Sequence, residues 1–124
     1  MSPGEEKVKI LIADDDPDIC ESLRRYLERR GFAVTVAFDG AQAGRRIEQE
    51  RFAFFFLDCS MPELTGIELV GSARRNNPRA KIVIVSGFPS VNDEMLQKMG
   101  GDLFIHKPVQ FSEIDNILKQ GEGT

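Results

Sequence analysis

Four places in this sequence carry polar groups at or just after the end of an apolar run. Asp14-Asp15-Asp16 follows Val8-Lys9-Ile10-Leu11-Ile12-Ala13, and Asp58 follows Phe54-Phe55-Phe56-Leu57. Ser86 follows Lys81-Ile82-Val83-Ile84-Val85, and Lys107-Pro108 follows shortly after Leu103-Phe104-Ile105. Crowded carboxylates repel, and each like-charged neighbour disfavours ionisation of the next. A divalent cation relieves that repulsion, and oxygen-only ligands suit Mg2+. A lysine supplies a point charge for a phosphoryl group, and a carboxylate can itself be the nucleophile that forms an aspartyl phosphate. Each residue also has a plainer reading. Asp16 directly precedes Pro17 and reads as a helix cap, Ser86 could be a turn residue before Gly87, and Lys107 could be a solvated loop lysine. Asp58 is harder to explain that way, because an isolated carboxylate beside four apolar residues is costly near a core.

The elements that position these groups alternate regularly. Besides the runs already named, Ala33–Ala37 is β-branched and Phe52–Leu57 is strongly apolar. Continuous runs of this length fit strands buried on both faces. Between them lie helical patterns. Ile19, Leu23, Tyr26 and Leu27 share one helical face, opened by Asp16-Pro17 and closed by Gly31. Asp39 caps a second helix to about Gln49. Thr65-Gly66-Ile67-Glu68 matches a capping box for a third, which must end before Pro78. Ser90 caps a fourth, carrying Val91, Met95, Leu96 and Met99, with a loose end at Gly100-Gly101. Phe111, Ile114, Ile117 and Leu118 stripe a fifth, and the tail from Gly121 should fray.

Five strands alternating with five helices predict a parallel sheet covered on both faces, a doubly wound α/β sandwich. In such sheets ligands sit beyond the carboxyl ends of the strands, where the polar groups fall.

Composition bounds the function. The chain has 124 residues, with 16 Lys and Arg against 20 Asp and Glu, a net charge of −4. That length predicts a single domain over 1–124, with a core from about 8 to 118 and frayed tails. The mild acidity argues against a nucleic-acid footprint. No apolar run reaches the ~20 residues of a membrane span, and Met1–Lys9 lacks a signal-peptide stretch, so a cytoplasmic location is expected. Two cysteines, Cys20 and Cys59, and one histidine, His106, are too few for a zinc site. The thiols read as reduced and packed.

Together these motifs resemble the receiver domains of two-component response regulators, over about Val8 to Leu118. The segment Lys9 to Pro17 resembles that family's first strand and acidic pair. Leu57-Asp58-Cys59-Ser60-Met61-Pro62-Glu63-Leu64-Thr65-Gly66 resembles its phosphoacceptor strand, Met-Pro turn and glycine. Val85-Ser86-Gly87 resembles its hydroxyl position, and Phe104-Ile105-His106-Lys107-Pro108 its last strand with switch aromatic and lysine.

The resemblance implies the flavodoxin-like strand order 2-1-3-4-5 and assigns roles. Asp58 would accept a phosphoryl group from the phosphohistidine of a sensor kinase or phosphotransfer protein. Asp15, Asp58 and the Ser60 carbonyl would bind Mg2+ (with Mn2+ as a substitute), and Asp14 would join mainly through metal-bound water. Lys107 and Ser86 would hold phosphoryl oxygens. The Lys107-Pro108 bond would be cis. Ser86 and Phe104 would then switch the face formed by the fourth helix, fifth strand and fifth helix, which could also carry a homodimer. Such a module is no enzyme beyond its own phosphoryl transfer and dephosphorylation. Ser60 and Phe88 occupy positions that vary in the family and tune dephosphorylation, and Phe104 stands where Tyr is also common.

Two rivals stay open at this level. A haloacid-dehalogenase-like phosphatase shares the Asp nucleophile but wants a second Asp where Ser60 stands. A phosphorylation-independent binding module would keep the fold yet usually lose an acid or the lysine.

Overall fold

The computed structural model describes residues 7–58, 66–87 and 93–122. Within them the chain alternates strictly: β1 (Lys9–Ala13), α1 (Pro17–Glu28), β2 (Ala33–Ala37), α2 (Gly40–Gln49), β3 (Phe54–Asp58), α3 (Gly66–Asn76), β4 (Lys81–Ser86), α4 (Asp93–Met99), β5 (Leu103–His106) and α5 (Phe111–Glu122). The strands form one five-stranded sheet in the order β2-β1-β3-β4-β5. Every pairing is parallel, so each connection needs a crossover, and the helices supply it.

The sheet's pleat sorts the apolar runs into two cores. Leu11, Ala13, Phe55, Leu57, Ile82 and Ile84 face Ala43 and Ile47 of α2 and Leu69, Val70 and Ala73 of α3, and Met99 of α4 packs beside them. Ile10, Ile12, Phe54, Phe56, Val83, Val85 and Ile105 face Cys20, Leu23 and Leu27 of α1 and Ile114, Ile117 and Leu118 of α5. This is why the central strands read as unbroken apolar runs, and β1, β3 and β4 are almost wholly buried. The outer strands differ from the expectation of full burial. Four of the five residues of β2, and the first two of β5, are only half-buried, because no further strand flanks them.

The helix ends follow local chemistry. Asp16 accepts from the Asp18 and Ile19 amides at 2.9 and 3.4 Å, with Pro17 next in the helix. Asp39 accepts from the Gln42 amide at 2.8 Å, and the Gln42 side chain accepts in return from the Phe38 amide at 2.9 Å. Two donors that the start of α2 would otherwise orphan are thus satisfied. Gly31 sits at φ +92°, which only a residue lacking Cβ adopts freely, and it turns the chain from α1 into β2. Gly100, at φ +83°, stops α4 in the same way and gives a defined end where a loose one was expected. The expected caps Thr65 and Ser90 lie outside the described residues. β3 starts at Phe54, not Phe52, and takes in Asp58. α5 continues through Gly121 to Glu122, so its last turn is helical where fraying was expected.

A buried amide ties α3 to the start of β3. Asn77 accepts from the Phe52 N–H at 2.8 Å and donates to the Ala73 carbonyl at 3.3 Å. Replacing it orphans a buried backbone donor, which costs roughly 1–3 kcal/mol. Asn77→Ala should lose that amount in urea denaturation with an unchanged slope. A variant as stable as wild type would show that the Phe52 amide finds another partner.

Candidate functional site

The site lies where β1, β3, β4 and β5 end. Ala13 pairs with Leu57 in the register, so Asp14 and Asp58 leave the sheet side by side. Ser86 is the last residue of β4 and stands opposite His106. Lys107 follows β5, and its amide donates to the Ser86 carbonyl at 2.8 Å. The Lys107–Pro108 peptide bond is cis, as expected.

The polar groups here are deeply placed. Asp14 is 3% exposed, Asp58 2% and Ser86 0%, while Asp15 stands in solvent. Lys107 Nζ lies 3.1 Å from an oxygen of Asp14 and 3.1 Å from an oxygen of Asp58. The other Asp14 oxygen accepts from the Asp16 amide at 2.9 Å. Carboxylate oxygens of Asp14, Asp15 and Asp58 all lie within 4.8 Å of one another. Three hard oxygen donors at that spacing suit a divalent cation that keeps part of its water shell.

The electrostatics follow from burial and pairing. Burial pushes the Asp14 carboxyl above its ordinary range and the charge of Asp58 adds to this, against the opposing pull of the Asp16 amide and Lys107. Burial works against the Lys107 ammonium, yet its hydrogen bonds to Asp58 and Asp14 outweigh that and hold it above the usual lysine value. Lys107 therefore stays charged at neutral pH. Cys20 donates its S–H to the Asp14 carbonyl at 3.2 Å. Its thiol is pushed up to about 12, by burial first and then by the charges of Asp14 and Asp16. It is a free, buried thiol, as the sequence predicts, and not a nucleophile.

Phe104 is half-buried against the core shared by α2 and α3, and its ring meets the His106 imidazole edge-on with centroids 4.4 Å apart. The structure thus gathers Asp14, Asp15, Asp58, Ser86 and Lys107 at one edge. Ser60, Cys59 and Phe88 lie outside the described residues. One feature went unread in the sequence: Asp14 contacts Lys107 directly. Residue types alone carry no signal for that pairing, which depends on how far β5 carries the lysine toward β1.

Residues 10–119 match the family model described as the response regulator receiver domain. The chain belongs to that family. Receiver domains of this kind are signalling modules of two-component response regulators, which displaces the phosphatase alternative. The chain is 33% identical over 115 residues to the transcriptional regulatory protein PrrA of Mycobacterium leprae (strain TN), covering 92% of this chain and 49% of that protein. It therefore spans about half the length of that relative. Among solved structures, it is similar to a response regulator from Burkholderia pseudomallei described with a phosphorylated aspartic acid, calcium ion and citrate. That match has 28% identity and TM-score 0.80, over 91% of this chain and 65% of the other. It is also similar to the response regulator TrrA of Thermotoga maritima, described in complex with Mg2+ and BeF, at 25% identity and TM-score 0.80, over 92% and 98% of the two chains. Among the described residues no helix is long and apolar enough to cross a membrane.

The pH behaviour of this receiver site has a definite sign. The raised Asp14 carboxyl keeps its proton in the folded state above the ordinary value of 3.8 that the unfolded chain shows. The stability that proton brings is present in acid and lost as pH rises from 3.8 through the raised value. Asp14→Asn keeps the acceptor for the Asp16 amide and never ionises. In metal-free buffer its melting temperature should approach that of wild type at the acid end and exceed it increasingly toward neutrality. A gap that does not change with pH would contradict the assignment.

Proposed function

We propose that this receiver takes a phosphoryl group onto Asp58 from the phosphohistidine of a sensor histidine kinase or phosphotransfer protein. The observation that carries the reading is the Lys107 ammonium set 3.1 Å from both Asp14 and Asp58, beside a third carboxylate. In the reaction an Asp58 oxygen attacks phosphorus, the P–N bond to the donor imidazole breaks, and the freed imidazole nitrogen takes up a proton. Such transfer is mostly positioning plus stabilisation of the charge on the equatorial oxygens. Asp14, Asp15 and Asp58, with the Ser60 carbonyl, would hold Mg2+ (or Mn2+), which neutralises part of that charge when bound. Lys107 already touches an Asp58 oxygen and needs only a short shift to reach a phosphoryl oxygen. The names of the two similar structures, one phosphorylated and one with Mg2+ and BeF, support the same chemistry.

The expected outcome is direct. With a small phosphodonor and Mg2+, intact mass should rise by one phosphoryl group, and a chelator should prevent it. Asp58→Asn should not label. Normal labelling of that variant would remove Asp58 from the role.

The output would be conformational. A dianion at Asp58 draws the Ser86 hydroxyl and Lys107 inward, which frees space for Phe104 to rotate. Its apolar ring buries without losing a hydrogen bond. The surface of α4, β5 and α5, roughly Val91 to Leu118, would then bind a partner or a second copy of the chain. This is a population shift, so the two states must differ in their contacts. Ser86→Ala should leave Mg2+ affinity within about twofold of wild type, because Ser86 is no ligand. It should also shrink the amide shift changes that a phosphoryl mimic causes at Phe104 and α4. Undiminished changes there would rule out the serine as the link.

A further inference from the structure

The end of the sheet opposite the site carries a second charge pattern. The chain is acidic overall, and the exposed Asp15, Asp16 and Asp18 lie at the carboxyl ends of the strands. The amino ends carry Lys9, Arg51, Arg74, Arg75, Arg79 and Lys81 against Glu50 and Asp102, which pair with Lys9 and Arg74. Some of those cations have a local reason: Arg74 and Arg75 fall in the last turn of α3, where a positive charge offsets the helix dipole. Arg51, Arg79 and Lys81 have no such reason. Arg51 and Arg79 sit in the connections entering β3 and β4, and Lys81 opens β4. None of the three pairs with an acidic side chain among the described residues.

Between Arg51 and Arg79 lies a hollow of about 410 Å³, walled largely by Phe52, Ala53, Pro78 and Ala80. The Asn77 amide in its lining is already engaged by the Phe52 N–H and the Ala73 carbonyl. Backbone bonds from Ala53 to the Lys9 carbonyl at 2.8 Å and from Lys81 to the Ala53 carbonyl at 2.9 Å hold the rim together. Lys9 lies 5.7 Å above the Phe52 ring, but its ammonium is paired with Glu50 at 2.9 Å, so among the described residues the free positive charge at the hollow is that of Arg51 and Arg79.

We propose that this edge docks an acidic segment of a partner protein, with one apolar side chain in the hollow and carboxylates on Arg51 and Arg79. The chemistry selects that occupant. Guanidinium forks match carboxylates in two-point geometry, and the apolar walls reward a Leu or Phe but offer nothing to a sugar-phosphate backbone. A nucleic-acid footprint would need a longer basic stripe on a domain without the opposing acidic end. The proposal goes beyond phosphoryl transfer, because the edge lies at the other end of the strands from Asp58.

The test uses a labelled peptide of about twelve residues, Glu and Asp around a central Leu-Phe pair, titrated into the isotopically labelled protein. Amide shifts should concentrate at Arg51–Ala53 and Asn76–Lys81. Affinity should fall about tenfold from low salt to about 0.5 M NaCl as the charges are screened, and by at least about as much in the R51E/R79E double variant. That variant should still accept the phosphoryl group at Asp58, which shows that it folds. The proposal is overturned if shifts fall elsewhere or are absent at millimolar peptide. Equal binding of a peptide with Ala in place of Leu-Phe, or of a short DNA duplex, also overturns it. Self-association that the double variant abolishes would give the edge to a second copy and overturn it too.

Discussion

Everything at the working edge of this molecule depends on one electrostatic constraint. Two carboxylates are buried side by side at the ends of β1 and β3, and one ammonium sits between them. Two like charges taken out of water repel, and each disfavours the other's ionisation. Burial is the main reason that the Asp14 carboxyl is raised, the charge of Asp58 adds to it, and the Asp16 amide and Lys107 pull the other way. Together with Asp15, three carboxylates thus crowd within 4.8 Å of one another at this edge. On the proposed function, a metal ion would relieve that crowding directly, and an incoming phosphoryl group would become tolerable once its own charge is matched by the metal and the lysine.

The sheet makes the arrangement possible. Parallel strands put all their carboxyl ends on one edge, and the observed order sets β1 and β3 next to each other at its centre. Residues following paired positions then emerge as neighbours without any long loop to hold them. Two cores, one on each face, fix the strands from both sides. Interiors packed this way pass small shifts onward instead of absorbing them. On the proposed function, that is how a change at Asp58 would reach Ser86 and Phe104, on the next two strands.

Much of this was legible in the sequence because short unbroken apolar runs alternating with helical patterns fit strands buried on both faces of a parallel sheet. The strand pattern, the caps at Asp16 and Asp39, and the gathering of Asp14, Asp15, Asp58, Ser86 and Lys107 at one edge all follow from residue type and spacing. The strand order came from the family resemblance, since periodicity says nothing about which strands are neighbours. Three features depend on tertiary context and were not readable. Half-burial of β2 depends on its being an edge. The helical end of α5 at Gly121 and Glu122 overrides the low helix propensity of glycine. The direct Asp14–Lys107 contact depends on the reach of one side chain across the strand ends.

The central claim is that Asp58 is the residue that carries the phosphoryl group, and site mapping tests it most directly. The protein is treated with a phosphodonor and Mg2+, and the acyl phosphate is then reduced with borohydride, which converts a phosphorylated aspartate to homoserine. Peptide sequencing by mass spectrometry should find homoserine at position 58 and unchanged aspartate at positions 14 and 15. Homoserine at another aspartate, or a stable label on His106 with Asp58 intact, would contradict the account.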